Sequence, residues 1–296
     1  MIKSTYAVLA ILCSLVCLSS VENHLPRKAG AEMRRDDKVG PPPPRVRAEV
    51  EGLLSREPKP KEVRPLRMLL VSSKQDHGPG EHDYPAWSKG WKELLGSAKR
   101  VTVDTAKNWP DKEQWEKSDL VVLYFWNHDW SAARYQEMDA FLARGGGLVA
   151  LHAAVIADKE PEELAKRFGL ATQPVRTKYR HGALDLTVNG DAEDPITRGL
   201  NTIHFIDETY WPPIGDFKDV KILATSVEEG KPWPMLWTKE VGKGRVFCSV
   251  LGHYSWTFGD PLFRLMILRG IAWAAKEPIE RFEDLAVKGV KLRETP

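Results

Sequence analysis

The chain has 296 residues, of which 42% are hydrophobic and 28% are charged, and its formal net charge at pH 7 is +2. Because acidic and basic residues are interleaved, the composition argues against a nucleic-acid partner and against a membrane-binding surface. The length suffices for one sizeable α/β core, and the sequence contains no internal repeat.

Residues 1–22 have the pattern of a signal peptide. Lys3 gives a positive start, residues 6–18 form an apolar run, and Ser19 and Ser20 supply small residues for cleavage. The run is too short to span a bilayer comfortably, so we expect no membrane span in the mature chain. The pattern predicts an exported protein, periplasmic or extracellular. The alternative is a protein anchored in the membrane by an uncleaved N-terminal segment.

Residues 23–65 have the composition of a disordered, proline-rich linker. They are charged, poor in aromatic residues, and carry proline at every position from 41 to 44. Such a segment buries too little apolar surface to offset the entropy of ordering. Within it, residues 45–54 are weakly amphipathic and predict a short helix.

Residues 66–278 alternate between strand and helix patterns, as an α/β domain does, and residues 279–296 form a C-terminal tail. Apolar runs of strand length occur at 67–72, 100–104, 119–126, 147–151, 183–188, 220–224, 235–238 and 244–251. Ser131 is predicted to cap a helix that ends before Gly145, and Asp260 with Pro261 to open the last helix.

Polar clusters rich in histidine, carboxylate and aromatic residues follow several of these strands. They lie at 76–84, 126–130, 151–153, 207–211 and 252–256. In an open α/β sheet, ligands bind in the crevice beyond the carboxyl ends of the strands. The sequence therefore predicts a site at this edge of the sheet.

The candidate catalytic residues are His82, His152, Glu208 and His253. His152 and His253 each end a strand, and the glycines around His82 let backbone approach a ligand closely. Asp207 and Glu208 point to opposite faces of an extended segment, so only one serves the site, and we expect Glu208. The structural alternative for His152 is a core histidine that bonds a neighbouring carbonyl.

Further polar and aromatic residues are expected to bind substrate: Trp126, His128, Asp129, Tyr210, Tyr254 and Trp256. Two chemistries fit the set. In one, a histidine and Glu208 act as general base and acid. In the other, a divalent metal such as Zn²⁺ is held by two or three of His82, His128, His152 and His253. No H-x-x-x-H or H-x-H spacing occurs, so separate loops would have to assemble the metal site.

Four segments in register resemble the ThuA-like (trehalose utilisation) family. They are GGGLVALHAA at 145–154, DPITRGL at 194–200, DETY at 207–210, and GKGRVF at 242–247 followed by LGH at 251–253. The resemblance covers residues 66–276. It implies a fold of the class I glutamine amidotransferase-like superfamily, a flavodoxin-like three-layer α/β fold with a mainly parallel central sheet. It also implies metabolism of saccharides, alongside sugar oxidoreductases that work through keto-sugars.

The chain departs from the amidotransferases at their nucleophile. Those enzymes carry a reactive cysteine on a sharp turn after a strand. Here the comparable turn carries His152 and Ala153, while Cys248 lies inside a different apolar run. Glutamine hydrolysis through a thioester is therefore not expected, and no dinucleotide or phosphate-loop motif indicates another cofactor.

These observations favour an exported enzyme that acts on a saccharide or keto-saccharide by hydrolysis, elimination or isomerisation. Its partner would be a small molecule; the oligomeric state cannot be read from the sequence. The alternative is a non-catalytic carbohydrate-binding protein, or an interaction module of a surface complex, that uses the same crevice.

Overall fold

A computed structural model describes residues 1, 34–35, 39–54, 62–189 and 194–295. Its strands are β1 (Arg34–Arg35), β2 (Leu66–Ser72), β3 (Val101–Lys107), β4 (Leu120–Tyr124), β5 (Gly147–Leu151), β6 (Lys178–Val188), β7 (Thr202–Trp211), β8 (Lys221–Glu228), β9 (Lys231–Val241) and β10 (Gly244–Ser249). Its helices are α1 (Arg47–Glu51), α2 (Tyr84–Gly96), α3 (Lys112–Lys117), α4 (Ala132–Ala143), α5 (Pro161–Phe168) and α6 (Pro261–Ala274).

The strands form one mixed sheet in the order β1-β6-β8-β9-β10-β5-β4-β2-β3, with β7 paired to β6. Strands β3, β2, β4, β5 and β10 run parallel. Strands β6 to β9 are joined to one another and to β10 by antiparallel pairing. The prediction of a mainly parallel sheet was wrong, because close to half of the sheet is antiparallel.

The burial patterns differ between the parallel half of the sheet, which contains β4 and β5, and the antiparallel half, which contains β6 to β9. Every residue of β4 and β5 is buried, as expected for parallel strands covered on both faces. In β6 and β7, buried and exposed residues alternate over part of each strand, which is typical of an antiparallel sheet with one wet face.

Helices cover both faces of the parallel half, giving three layers. On β10, Phe247 lies against Gly270 of α6. The next residue, Cys248, points to the other face, where its Sγ lies 3.8 Å from Phe168 O at the end of α5. Since successive side chains of a strand point to opposite faces, α5 and α6 sandwich the sheet.

The predicted helix starts are only partly as expected. Asp260 caps α6, with Oδ1 accepting hydrogen bonds from Leu262 N and Phe263 N. Helix α4 begins after Ser131, but the Ser131 side chain makes no capping hydrogen bond. Gly145 follows α4 with a φ of 99°, a left-handed conformation that glycine adopts readily.

Part of the predicted linker is packed on the domain. The helix expected within 45–54 is α1, whose Val50 is fully buried. Arg45 Nε donates to Asp260 Oδ2 over 2.7 Å, and Arg269 Nη2 donates to Leu53 O over 2.9 Å. The remaining linker residues that carried the prediction, 23–33, 36–38 and 55–61, lie outside the described residues, as does the predicted signal peptide beyond Met1.

The start of the predicted C-terminal tail is packed as well. Glu283 is buried and pairs with Arg269 of α6 over 2.7 Å. Among the described residues, the helices are all too short or too polar to cross a bilayer.

Candidate metal centre

Three histidines reach one point from the carboxyl ends of parallel strands. His82 lies in the loop between β2 and α2, His152 directly follows β5, and His253 lies shortly after β10. Because these strands run in one direction, their carboxyl ends share an edge of the sheet. The structure therefore brings together the three histidines that the sequence singled out.

Glu208 joins them from the interior of β7. The exposed fractions of the four residues are 1% for His82, 0% for His152, 5% for Glu208 and 1% for His253. One ligand-type atom from each lies within 4.8 Å of the other three. We call these four residues the His/Glu cluster.

The atoms of the His/Glu cluster are close enough to share one cation. His152 Nε2 lies 2.8 Å from His82 Nε2, 3.2 Å from His253 Nδ1 and 3.3 Å from Glu208 Oε2. His253 Nδ1 lies 2.9 Å from Glu208 Oε2. His152 Nε2 is thus at the centre of the group.

Hydrogen bonds on the far side of two imidazoles fix where their lone pairs point. His152 Nδ1 lies 2.7 Å from Val250 O, and since a carbonyl only accepts, this nitrogen carries the proton. His82 Nδ1 lies 2.7 Å from Asp76 Oδ1 and donates to it. In their neutral forms, both Nε2 atoms then present lone pairs to each other, which is repulsive unless a proton or a metal ion lies between them.

The charges favour a cation at this point. Burial lowers the pKa of His82 to about 3, although the Asp76 hydrogen bond opposes the change, so His82 is neutral at pH 7. Burial opposes ionisation of Glu208, but its pairing with His152 and His253 is stronger and lowers its pKa well below the ordinary value. The ionised carboxylate of Glu208 therefore faces imidazole nitrogens at a buried position, an arrangement that attracts a cation.

Two of the histidines have strained backbones. His82 has a φ of 45° and His152 a φ of 51°, in the left-handed region that residues other than glycine rarely adopt. Each such residue costs of order 1 kcal/mol, and such strain tends to occur at functional sites. His82 N donates to His253 O over 3.0 Å, so the loops hold each other in this arrangement.

Asp207 anchors the loop that carries His253. It is fully buried and accepts hydrogen bonds from Gly252 N and His253 N, each over 3.0 Å. Gly252 has a φ of 129°, and a Cβ there would lie 3.3 Å from the Cβ of His152. The two neighbours on β7 therefore have different roles: Asp207 positions the backbone of the His253 loop, and Glu208 faces the imidazoles.

Tyr210 and His181 hold Glu208 in place. Tyr210 OH donates to Glu208 Oε2 over 2.9 Å and lies 3.1 Å from His152 Nε2. His181 Nε2 lies 3.4 Å from the other carboxylate oxygen, and His181 Nδ1 lies 2.9 Å from Tyr254 OH. Tyr210 and Tyr254, both expected to bind substrate, are thus buried beside the cluster.

An aromatic rim lies outside the cluster. His77 is half-exposed, its ring centroid is 3.9 Å from that of His82, and it stacks on Trp126 at 6.4 Å. Its Nδ1 lies 2.8 Å from Asp76 Oδ1, so one carboxylate serves two histidines. Trp256 stacks on Tyr254 at 4.1 Å. These rings can contact a ring-shaped ligand that approaches from solvent.

His128 and Asp129 do not join the cluster. His128 Nδ1 lies 2.6 Å from Asp158 Oδ2, and His128 is not among the described residues whose ligand-type atoms gather within 4.8 Å of one another. Asp129 is exposed and pairs with Arg134. Both residues follow β4, but the chain turns away from the cluster there to begin α4.

Sequence reasoning missed Asp76 and His181 as parts of the site. Asp76 had a signal, because it lies in the same histidine-rich loop as His82. His181 lies on β6 and is paired in register with Glu208 of β7. Only the pairing of the two strands shows that it faces the cluster.

The donor set fits a divalent metal. Three imidazoles and one carboxylate are a nitrogen-and-oxygen donor set of the kind that Zn²⁺ accepts. Outer hydrogen bonds from a metal-binding histidine to a carboxylate or a carbonyl are a regular feature of such sites, and Asp76 and Val250 O supply them here. The buried His/Glu cluster could therefore hold a metal ion.

Cys248 takes no part in the site. It is fully buried in β10, and burial raises the pKa of its thiol well above the ordinary value. A thiol that stays protonated is a poor nucleophile.

Comparisons with known proteins agree with this fold. The family model described as ThuA, trehalose utilisation, matches residues 68–274. A ThuA-like protein from Parabacteroides merdae is 23% identical, with a TM-score of 0.57 over 72% of this chain and 90% of its own. One from Bacteroides uniformis is 17% identical, with a TM-score of 0.57 over 76% and 99%.

A third similar structure belongs to a larger protein. The β-galactosidase from Bacillus circulans is 10% identical, with a TM-score of 0.51 over 72% of this chain and 32% of its own. At these identities the likeness concerns the fold alone. No curated protein matches the sequence.

Proposed function

The chain belongs to the ThuA family, and from that premise we propose that it is an exported, metal-dependent enzyme acting on a saccharide or keto-saccharide. The metal ligands would be His82 Nε2, His152 Nε2, His253 Nδ1 and a carboxylate oxygen of Glu208. The observation that carries the proposal is the 2.8 Å approach of two imidazole nitrogens whose other nitrogens are committed as donors.

A divalent metal held by these four residues would supply a Lewis acid, and by expanding from four to five ligands it would polarise a carbonyl or hydroxyl oxygen of the substrate. A keto-saccharide suits such a centre, because its carbonyl makes the C–H at the neighbouring carbon acidic, and loss of that proton expels the oxygen on the next carbon along. Hydrolysis, elimination and isomerisation all begin from that activation, so the metal centre by itself fits each of them.

The protein side chains around the centre can move protons. His77 is half-exposed above His82 and within 5.4 Å of His253 between ring centroids, so its imidazole can exchange protons with a bound substrate. Glu81 Oε2 lies 3.9 Å from His253 Nε2, at the same edge. Tyr210 stays protonated, because burial raises the pKa of its hydroxyl well above the ordinary value, and it remains a donor to Glu208.

The aromatic rim supports a ring-shaped substrate. Trp126 is half-buried beside His77, and its Nε1 donates to Asp158 Oδ1 over 3.2 Å. The same carboxylate group holds His128, so Trp126, His128 and Asp158 form one fixed polar and aromatic edge. Aromatic faces bind the C–H faces of sugars, and carboxylates accept hydrogen bonds from their hydroxyls.

The test is elemental analysis of the purified full chain together with a turnover screen on keto-saccharides. We expect about one metal ion per chain, and its loss in His152→Ala, because that residue touches all three other ligands. His204→Ala is the matched control, since His204 is an exposed histidine whose imidazole, among the described residues, pairs with Asp185 alone. Turnover should disappear with the metal and return when Zn²⁺ is added to chelated wild-type protein.

Two results would count against the proposal. A folded wild-type chain that carries no metal and takes up no Zn²⁺ would remove the metal centre. Saturable saccharide binding by metal-loaded protein, with no turnover of any keto-saccharide, would support the carbohydrate-binding alternative.

A further inference from the structure

A separate cavity of about 570 Å³ lies beside α2, the start of α6 and the chain at Lys288. None of the four cluster residues lines it. The ring of Tyr84 contacts that of His82 at 5.2 Å on one side and that of Tyr124, a cavity residue, at 4.8 Å on the other. The cavity therefore has the size of a small-molecule site and is walled off from the His/Glu cluster.

The cavity contains the half-buried guanidinium of Arg264. Arg264 Nε donates to Phe258 O over 2.6 Å, and Nη1 donates to Lys288 O over 2.9 Å. Within residues 39–54, 62–189 and 194–295, Arg264 has no carboxylate partner. A partly buried cation held only by carbonyls is stabilised by an incoming anion. Lys288, which also lines the cavity, adds a second positive charge.

The floor of the cavity is aromatic. Trp87, Trp91 and Phe258 line it, and the ring of Phe258 lies 6.0 Å from each of the two indole rings. A group of neighbouring aromatic rings of this kind can pack against the apolar face of a sugar ring.

Acidic groups line the same cavity. Asp83 and Glu93 accept hydrogen bonds from hydroxyl or ammonium groups, and the hydroxyl of Ser255 can do either. They would repel an inorganic anion such as phosphate, whose negative charge lies on every side of the molecule. The lining therefore matches a ligand that has hydroxyls and one carboxylate on the same small frame.

A glycine of α2 lines the cavity. Gly90 lies in the middle of α2, where alanine would give a more stable helix. A Cβ built at Gly90 meets no atom within 4 Å, so close packing does not explain the glycine. Because Gly90 lines the cavity, a Cβ there leaves the space open, whereas a large side chain would extend into it.

We propose that this cavity binds a uronic acid, with its ring on the floor of Trp87, Trp91 and Phe258 and its carboxylate on Arg264. The hydroxyls of the sugar would donate to Asp83 and Glu93. The site is independent of the metal centre and of the reaction proposed there.

The experiment is calorimetric titration of the full chain with D-glucuronate, with D-glucose and acetate as comparison ligands. We expect glucuronate to bind at least about tenfold more tightly than either, because only it engages the charge and the floor together. Gly90→Phe fills the cavity and should abolish binding. Gly90→Ala is the matched control and should bind as wild type does.

Two further variants keep the outcome decisive. His152→Ala should bind glucuronate as wild type does, because it alters only the metal centre. Arg264→Gln should lower the affinity for glucuronate about tenfold and leave the affinity for glucose unchanged. This variant replaces Gly90→Phe in the test if Gly90→Phe does not fold. The proposal is overturned if wild type does not bind glucuronate at millimolar concentrations, if Gly90→Phe binds it normally, or if only His152→Ala loses it.

Discussion

In the parallel half of the sheet, site residues stand where strands end, whereas in the antiparallel half they stand on one face of strands that continue past them. His82, His152 and His253 follow β2, β5 and β10. Glu208 lies inside β7, paired in register with His181 of β6. The parallel half thus supplies ligands on turns, and the antiparallel half supplies a carboxylate on a rigid ladder.

The difference has a physical cause. A parallel strand covered on both faces is mostly apolar, so polar residues occur in the loop that follows the strand. An antiparallel strand with alternating faces can present polar residues anywhere along one face. Tyr210, two residues after Glu208, therefore points the same way and donates to its carboxylate.

The largest expected effect comes from removing one ligand from each half. His253→Ala and Glu208→Gln should each lower Zn²⁺ affinity by about 100-fold or more, because loss of a ligand exceeds the 10- to 100-fold effect of an outer residue. Competition with a chromogenic chelator measures both, with His204→Ala as the control. Wild-type affinity in Glu208→Gln would show that the antiparallel half contributes no ligand.

The next effect concerns acid stability of the metal-free protein. In the unfolded chain a histidine has a pKa of about 6.5, whereas burial lowers the pKa of His82 in the folded chain to about 3. Between these two pH values the unfolded state therefore binds the proton and the folded state does not. The free energy of unfolding should therefore fall by about 2 kcal/mol from pH 7 to pH 5 on account of His82. Glu208, whose pKa is lowered, acts in the same direction below its ordinary pKa.

Urea denaturation of chelator-treated protein at the two pH values measures this change. Asp207 acts against this fall in stability at pH values just above its ordinary pKa, because burial raises the pKa of its carboxyl and the folded state then binds the proton more readily. The comparison variant is His82→Asn, in which the fall should shrink. An equal fall in His82→Asn and wild type would show that His82 is not the group responsible.

A smaller effect is expected from His181, which touches Glu208 but is outside the His/Glu cluster. His181→Gln should weaken Zn²⁺ binding about tenfold through a less well-held carboxylate, as outer residues of metal sites do. Unchanged affinity would mean that Tyr210 alone orients Glu208. Tyr254→Phe, which removes the hydroxyl beside His181 Nδ1, should produce a weaker version of the same change.

The smallest effect is expected at Asp129, which the sequence placed among the substrate-binding residues. Asp129→Ala should leave metal content unchanged and alter the free energy of unfolding by no more than about 0.5 kcal/mol, since the Asp129 carboxylate that pairs with Arg134 is exposed. A loss of metal in this variant would contradict the position of Asp129 outside the cluster.

Strand ends could be read from the sequence, and strand partners could not. His152 and His253 were predicted because each comes at the end of a mainly apolar run. Glu208 was chosen over Asp207 because successive side chains of an extended chain point to opposite faces. The mixed sheet and the role of His181 depend on which strand pairs with β7, a contact between residues far apart in sequence. His128, one of four histidines named as possible metal ligands, lies outside the His/Glu cluster, because the end of a strand marks an edge of the sheet but not the direction of the turn that follows.

The most direct test of the metal centre is the X-ray absorption spectrum of the full chain loaded with one equivalent of Zn²⁺. The arrangement of His82, His152, His253 and Glu208 predicts a four-coordinate shell of three imidazole nitrogens and one oxygen, at about 2.0–2.2 Å. A shell with sulfur, or with oxygen and no imidazole scattering, would contradict a zinc centre in the His/Glu cluster.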